Sequence, residues 1–296
     1  MIYRQYTIRN AAVNAFYGLI IGSSMLIPGM SGGTTAIILG IYDKLIGAVS
    51  RFFSDIRGSL LLLGSTAAGG IAGVVLFSGM ILHLTEQFPV YSMYFFIGAI
   101  AGGIPLLISN AGLTRKRLYC LIFVLSGAGA ALGLSLLPAG SGQSENLLIQ
   151  IISGILIAGA MVLPGISTSH MLLSIGMYES VWGAIRRCDF LYLLPVMTGG
   201  IIGTVLFAKL TDYCLKKYPC QTYMAMLGFV LASCTELFPA DSSVSEIPTY
   251  VCLFILGFTA VFLFTLLEDG RAKQKDKYQS KTLSGGESFG IKGQEG

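Results

Sequence analysis

Charge is what this sequence lacks most. Charged residues make up 11% of its 296 positions and hydrophobic ones 54%, against about 25% charged in soluble globular domains. That balance excludes an ordinary soluble domain and points to an integral membrane protein, with charges confined between apolar runs approaching the roughly 20 residues needed to cross a hydrocarbon core. Histidine occurs only twice, and the six cysteines, Cys120, Cys188, Cys214, Cys220, Cys234 and Cys252, form no C-x-x-C pair. No metal site and no cofactor are therefore expected, and the cysteines read as small buried apolar residues. The net charge of +4 sits in short loops and the tail rather than along one polar face, which argues against a nucleic-acid partner. Residues 1–14 carry Arg4 and Arg9 but no small-residue cleavage site behind a short apolar core, so no removable signal peptide is expected.

What the chain does have is two interruptions. The apolar run 11–27 is stopped by Pro28-Gly29-Met30-Ser31-Gly32-Gly33-Thr34 and resumes over 35–49; 136 positions later, the run 147–163 is stopped by Pro164-Gly165-Ile166-Ser167-Thr168-Ser169-His170 and resumes over 171–185. Each piece is too short to span a bilayer comfortably. Three full-length candidates follow each break: 58–82, 91–111 and 118–137 in the first half, then 190–210, 222–238 and 249–267 in the second. One membrane domain over 1–268 is expected, with repeats at about 10–138 and 147–268. The Lys- and Gly-rich stretch 269–296 is expected to be a disordered tail.

The repetition extends well past the breaks. At an offset of 136, Gly40 matches Gly176, Tyr42 matches Tyr178, Asp43 matches Glu179, Gly47 matches Gly183 and Arg51 matches Arg187. At an offset of 130, Gly69, Gly70 and Gly73 match Gly199, Gly200 and Gly203, followed by Pro89 with Pro219, Gly98 with Gly228 and Gly127 with Gly257. Ordered coincidence along a whole half indicates duplication.

Loop charge selects the orientation. If each interrupted segment is a re-entrant hairpin and the N-terminus is cytoplasmic, then Arg4, Arg9, Arg51, Arg57, the cluster Arg115-Lys116-Arg117, Lys216, Lys217 and the basic tail all fall inside. The outer loops 84–90, 139–146 and 239–248 contain no Lys or Arg, and only Arg186 and Arg187 break the rule. The expected fold is therefore an all-α polytopic membrane protein of two inverted repeats, each a re-entrant helical hairpin plus three transmembrane helices, with both termini cytoplasmic.

Hairpins entering from opposite faces bring their tips together near the midplane. Ser31, Gly32, Gly33 and Thr34 then face Ser167, Thr168, Ser169 and His170, where hydroxyls, free backbone N–H groups and close backbone approach suit a phosphate or carboxylate. The competing reading is a tight kink packed between helices. His170 stands in the place of Thr34 and serves either as an anion contact or proton carrier, or as a hydrogen-bonded structural histidine. Arg51 and Arg187 attract a lipid headgroup or anchor at the interface by snorkelling. Asp43 and Glu179, about 18 Å along straight half-helices from Ser31 and Ser167, act as helix-end polar anchors or as a proton or other coupling-ion site.

The stretches PGMSGGTTAIILGIYDKL and PGISTSHMLLSIGMYESV resemble the paired signatures of the bacterial polyprenyl-phosphate transporter family, over roughly residues 10–268. The matching positions are Pro28, Gly29, Ser31 to Thr34, Gly40, Tyr42 and Asp43, then Pro164, Gly165, Ser167, Ser169, Gly176, Tyr178 and Glu179; the chain departs from the second signature at Thr168 and His170. The resemblance implies translocation of undecaprenyl phosphate across the bacterial plasma membrane for recycling of the carrier lipid, with no catalytic residue. Two alternatives stand beside it: a membrane undecaprenyl-pyrophosphate phosphatase, disfavoured because 11–27 and 147–163 contain no Asp or Glu, and a transporter of a small soluble anion. The orientation has a direct test: cysteines placed beside Lys216 and beside Ser141 should react with impermeant reagents from opposite faces, and labelling from one face contradicts the inverted arrangement.

Overall fold

The computed structural model describes residues 8–27, 31–112, 119–135, 146–166, 168–239 and 243–266. Among them all regular structure is helical. The first half contains α1 (Ile8–Ser24), α2 (Gly32–Ile38), α3 (Tyr42–Ser50), α4 (Ile56–Gln87), α5 (Pro89–Ala111) and α6 (Ile122–Ser135). The second contains α7 (Leu147–Val162), α8 (Thr168–Ser174), α9 (Tyr178–Arg187), α10 (Phe190–Lys217), α11 (Pro219–Glu236) and α12 (Ile247–Leu266). The tail expected to be disordered lies outside the described residues.

Among the described residues four helices, α4, α5, α10 and α12, are long and apolar enough to cross a membrane, or five if the bent pair α2 and α3 counts as one span. In the most apolar stretch of α4, α10 and α12 only 17% of residues are buried, so these helices offer their side chains to lipid; in α5 the share is 44%. The sequence leads us to expect two further spans; over the described residues, which leave out 113–118 and 136–145, α6 is shorter than a span, and α11 is less apolar than the four. Tyr223, Met224, Met226, Leu227, Val230 and Ser233 of α11 are all buried. Its composition answers to protein neighbours rather than to hydrocarbon.

The half-helices behind the two breaks are not straight, which corrects the expected 18 Å reach to Asp43. Gly40 and Gly176 adopt φ of 67° and 71°, the left-handed conformation that glycine takes at no steric cost. Each ends its helix with the same pair of hydrogen bonds: Gly40 N to Ile37 O and Ile41 N to Ala36 O, then Gly176 N to Leu173 O and Met177 N to Leu172 O. This is the Schellman arrangement. It stops α2 after seven residues and turns α3 by 119° from it. Lys216 and Lys217, expected in a loop, instead complete the last turn of α10, where cations favour the helix dipole.

Close helix approach follows the repeat. A Cβ on Gly18 would overlap the Thr66 carbonyl oxygen and one on Gly154 that of Val196; Gly69 lies against Ala15, and Gly199 against Ile151, in the same way. Thus α1 packs on α4 as α7 packs on α10. Gly98 abuts Phe254 and Gly228 abuts Val124, while Gly127 abuts Ala225 and Gly257 abuts Phe95. Thus α5 crosses α12 as α11 crosses α6, each pair joining one half to the other. At the head of α12, Glu246 accepts hydrogen bonds from Tyr91 (2.7 Å) and Tyr250 (2.9 Å). These bonds, Tyr91 first, hold the Glu246 carboxyl below its ordinary range. Its stabilising share is therefore present above the ordinary carboxylate pKa and is lost as pH falls through the lowered value.

The glycine crossings make a sharp prediction. Gly69→Leu or Gly199→Leu should lower stability by at least the ~1–3 kcal/mol typical of overpacking, whereas Gly79→Ala, with nothing within 4 Å of the added carbon, should leave it unchanged or slightly raised. Thermal unfolding in detergent reads both; equal behaviour of the three variants contradicts the packing.

Candidate functional site

The chemistry-bearing stretches meet where the two breaks touch. Ser31 ends the first break as the N-cap of α2, with extended backbone (φ −97°, ψ 148°). Its Oγ accepts from Thr34 N at 3.1 Å and shares a 2.9 Å hydrogen bond with Thr34 Oγ1. Across the junction, Gly165 N donates to Ser31 Oγ and to Thr34 Oγ1, both at 3.0 Å. One amide of the second break is thus held by two hydroxyl oxygens of the first.

Packing enforces that contact. Thr34 is 1% exposed. A Cβ on Gly33 would stand 3.2 Å from Pro164 Cα, and Gly165, at φ 78°, has no room for a side chain against the backbone of Phe229 and Val230. Just outside the first break, Ser24 Oγ and Thr35 Oγ1 share a buried 2.6 Å hydrogen bond that ties the end of α1 to α2. Sequence reasoning passed over this pair, although adjacent hydroxyl residues at each end of an apolar break were its signal.

The remaining sequence-selected residues divide clearly. Gly32 packs near Met25. Thr168, half-buried, begins α8; Ser167 lies outside the described residues, as do the side chains of Ser169 and His170. Arg51 and Arg187 are exposed and do not join the tips; each guanidinium instead folds back beside the glycine four residues earlier, Gly47 or Gly183. Glu179 is exposed in the first turn of α9.

Asp43 is brought to a second small site. Tyr223 Oη donates to Asp43 Oδ2 at 2.7 Å, and Ile37, Gly40, Tyr42, Asp43, Asn110 and Tyr223 line a pocket at the α2 to α3 bend. Tyr42, 3% exposed, donates from Oη to the Val162 carbonyl at 2.8 Å. Tyr223 and Asn110 have no counterpart in the repeat pattern and were not legible; Tyr42 was visible as a repeated residue and as a position of the family signature, with no role attached. Ser50 donates to Asp212, which also pairs with Lys216.

Chemically, the junction offers donors without side-chain charge. The Gly165 N–H is satisfied by hydroxyl oxygens, which are weaker acceptors than an anionic oxygen, since charge-assisted bonds are roughly twice as strong. An anion reaching the junction therefore competes for that N–H, and the Ser31 or Thr34 hydroxyl proton not used in their mutual bond can be donated to it. Thr34→Val, which leaves Ser31 Oγ holding Gly165 N, should cost about 1 kcal/mol in unfolding free energy, and Ser31→Ala about 1 kcal/mol more because it also removes the N-cap of α2. The double variant should lose more than the sum of the singles, and simple additivity contradicts the shared bond.

Comparison with known proteins covers both breaks. A family model described as VCA0040-like, undecaprenyl phosphate translocase-like, matches residues 21–253. A protein of Vibrio cholerae serotype O1 (strain ATCC 39315 / El Tor Inaba N16961) called polyprenyl-phosphate transporter is 32% identical over 250 residues, covering 77% of this chain and 78% of that one. A Staphylococcus aureus (strain NCTC 8325 / PS 47) protein of the same name is 32% identical over 272 residues, covering 83% and 93%. No solved structure matches the chain.

Proposed function

The chain belongs to the undecaprenyl phosphate translocase-like family, and on that premise we propose that it carries undecaprenyl phosphate across the bacterial plasma membrane, returning the carrier lipid for reuse. The reading includes two inverted halves, cytoplasmic termini and alternating access around the tip junction. The observation that carries it is the meeting of the two breaks, with Gly165 N within 3.0 Å of both Ser31 Oγ and Thr34 Oγ1.

The obstacle to lipid flipping is the headgroup. An isolated phosphate in hydrocarbon loses its hydration, at a cost of many kcal/mol, while the polyprenyl tail is already at home there. In this reading a phosphate oxygen takes the Gly165 N–H, and Ser31 or Thr34 turns its hydroxyl onto the same headgroup. Ser167, Thr168, Ser169 and His170 complete the site from the second tip, with Gly32 and Gly33 admitting the headgroup close to the backbone. The tail stays in lipid along exposed apolar faces such as that of α10, where Leu191, Leu194 and Ile201 point outward. Arg51 and Arg187, exposed beyond the half-helices, collect headgroups at the two interfaces. The tip stretches 24–35 and 162–170 contain no Asp or Glu, so the reading is movement without bond cleavage.

Purified protein in liposomes tests this. With fluorescent undecaprenyl phosphate in one leaflet, wild type should speed its appearance in the other, and the Ser31→Ala/Thr34→Val pair should slow it at least tenfold. Release of phosphate from undecaprenyl pyrophosphate would replace the proposal with an enzyme. Carriage of inorganic phosphate without lipid would replace it with a soluble-anion transporter.

A further inference from the structure

The two halves share their contacts at glycines but not at their re-exit shoulders, and that difference is informative. On the α3 side, hydrogen bonds cross from the first half to the second: Tyr42 Oη to Val162 O at 2.8 Å, Tyr223 Oη to Asp43 Oδ2 at 2.7 Å, and Ser50 Oγ to Asp212 Oδ2 at 3.1 Å, with the Thr211 side chain of α10 also hydrogen-bonded to Tyr42. Helix α3 packs firmly on α10 of the other half. On the α9 side, the described residues repeat none of these bonds, and α9 makes no comparable contact with α4, the counterpart of α10; the shifted pairs Glu179 with Met93 and Arg186 with Leu82 cannot form the second and third, so only the Tyr42 bond has a counterpart to make. One shoulder is docked and the other is free.

Tyr42 marks the difference most clearly. Its hydroxyl holds the carbonyl of Val162, the last residue of α7, two positions ahead of Pro164 in the opposite tip. That carbonyl is one of those a helix end leaves without an intrahelical partner. Shifting the residue numbers by 136 turns this pair into Tyr178 and Leu26, two positions ahead of Pro28. Tyr178 is half-buried, stands edge-to-face against Trp182 with ring centroids 6.3 Å apart, and makes no hydroxyl hydrogen bond with a described residue. The same side chain is therefore engaged in one half and idle in the other.

We propose that Tyr42 and Tyr178 are alternating positioning residues: each hydroxyl holds the carbonyl ahead of the other half's tip proline, Tyr42 to Val162 in the state described here and Tyr178 to Leu26 in the state that opens to the opposite face. The inference rests on the alternating-access reading and adds the latch that exchanges. In a duplicated chain, the second state is reached when each half adopts the conformation of the other, so a bond present once in one state is expected at the shifted position in the other. The exchange also moves a tip. Release of the Val162 carbonyl loosens the backbone leading to Gly165, whose N–H is held by Ser31 and Thr34, so shoulder undocking and access to the junction change together.

Tyrosine-to-phenylalanine changes remove only the hydroxyl. Spin labels on Phe53→Cys and Leu210→Cys, both exposed positions, report α3 to α10 docking in lipid nanodiscs by electron–electron double resonance, in the full chain with its native cysteines changed to alanine. Tyr42→Phe should shift the docked-to-undocked ratio about fivefold toward undocked, as expected for one buried hydrogen bond. Adding Tyr178→Phe to that variant should bring the ratio back toward wild type, because both states then lack their latch. A ratio unchanged by Tyr178→Phe in the Tyr42→Phe background, or pushed further toward undocked, overturns the proposal. The measurement needs no substrate, so its failure is separate from a failure of lipid transport in liposomes. Should the cysteine-free chain not fold, the four proteins with native cysteines are compared in liposomes for apparent KM on each face. The single variants should move these constants in opposite senses and the double variant should restore their ratio; shifts in the same sense overturn the latch.

Discussion

A single backbone amide, Gly165 N, held between Ser31 Oγ and Thr34 Oγ1, is the interaction on which the rest of the structure depends. A broken helix inside a membrane protein leaves peptide groups that hydrocarbon cannot satisfy. Here one break satisfies the other: Ser31 caps its own short helix, and the same oxygen accepts from the opposite tip. The bond is neutral, so an anion can replace it without first separating an ion pair. On the proposed reading, that property is what would let a structural contact double as a binding site.

Everything around the junction holds the two breaks at that distance. The broken segments are pinned by glycine crossings of α1 on α4 and of α7 on α10, while α5 with α12 and α6 with α11 stitch the halves together. These crossings admit no side chain, so the helices cannot drift apart without losing their closest contacts. The aromatic group at the head of α12, with Tyr94 and Tyr250 stacked at 4.6 Å and Tyr91 and Tyr250 on Glu246, fastens one end of the same seam. Against this fixed frame the α3 and α9 shoulders differ, and a difference between duplicated parts is the natural place for motion.

Much of this was legible in the residues. Pro28-Gly29 and Pro164-Gly165 announced the breaks, and the offsets of 136 and 130 announced the glycine registers that the helices use. Gly40 and Gly176 were read as markers of repetition, whereas their left-handed φ also ends the half-helices; a glycine inside an apolar run does not declare which role it has. The burial of α11 and the Asp43 to Tyr223 bond were invisible because packing between helices, not periodicity along one, sets them. Arg51 and Arg187 matched across the repeat for a similar local reason, each lying over its own glycine one turn back.

The most direct measurement of a two-tip site uses the chain's own composition. Pro-Gly occurs only at Pro28-Gly29 and Pro164-Gly165, so labelling proline carbonyl carbon with 13C and glycine nitrogen with 15N leaves two amide signals, one per tip. Titration of a short-chain polyprenyl phosphate in nanodiscs should move both signals with one affinity, and Ser31→Ala/Thr34→Val should weaken both responses together. A titration that moves only one signal, or moves the two with unrelated affinities, would contradict a site built jointly by the two breaks.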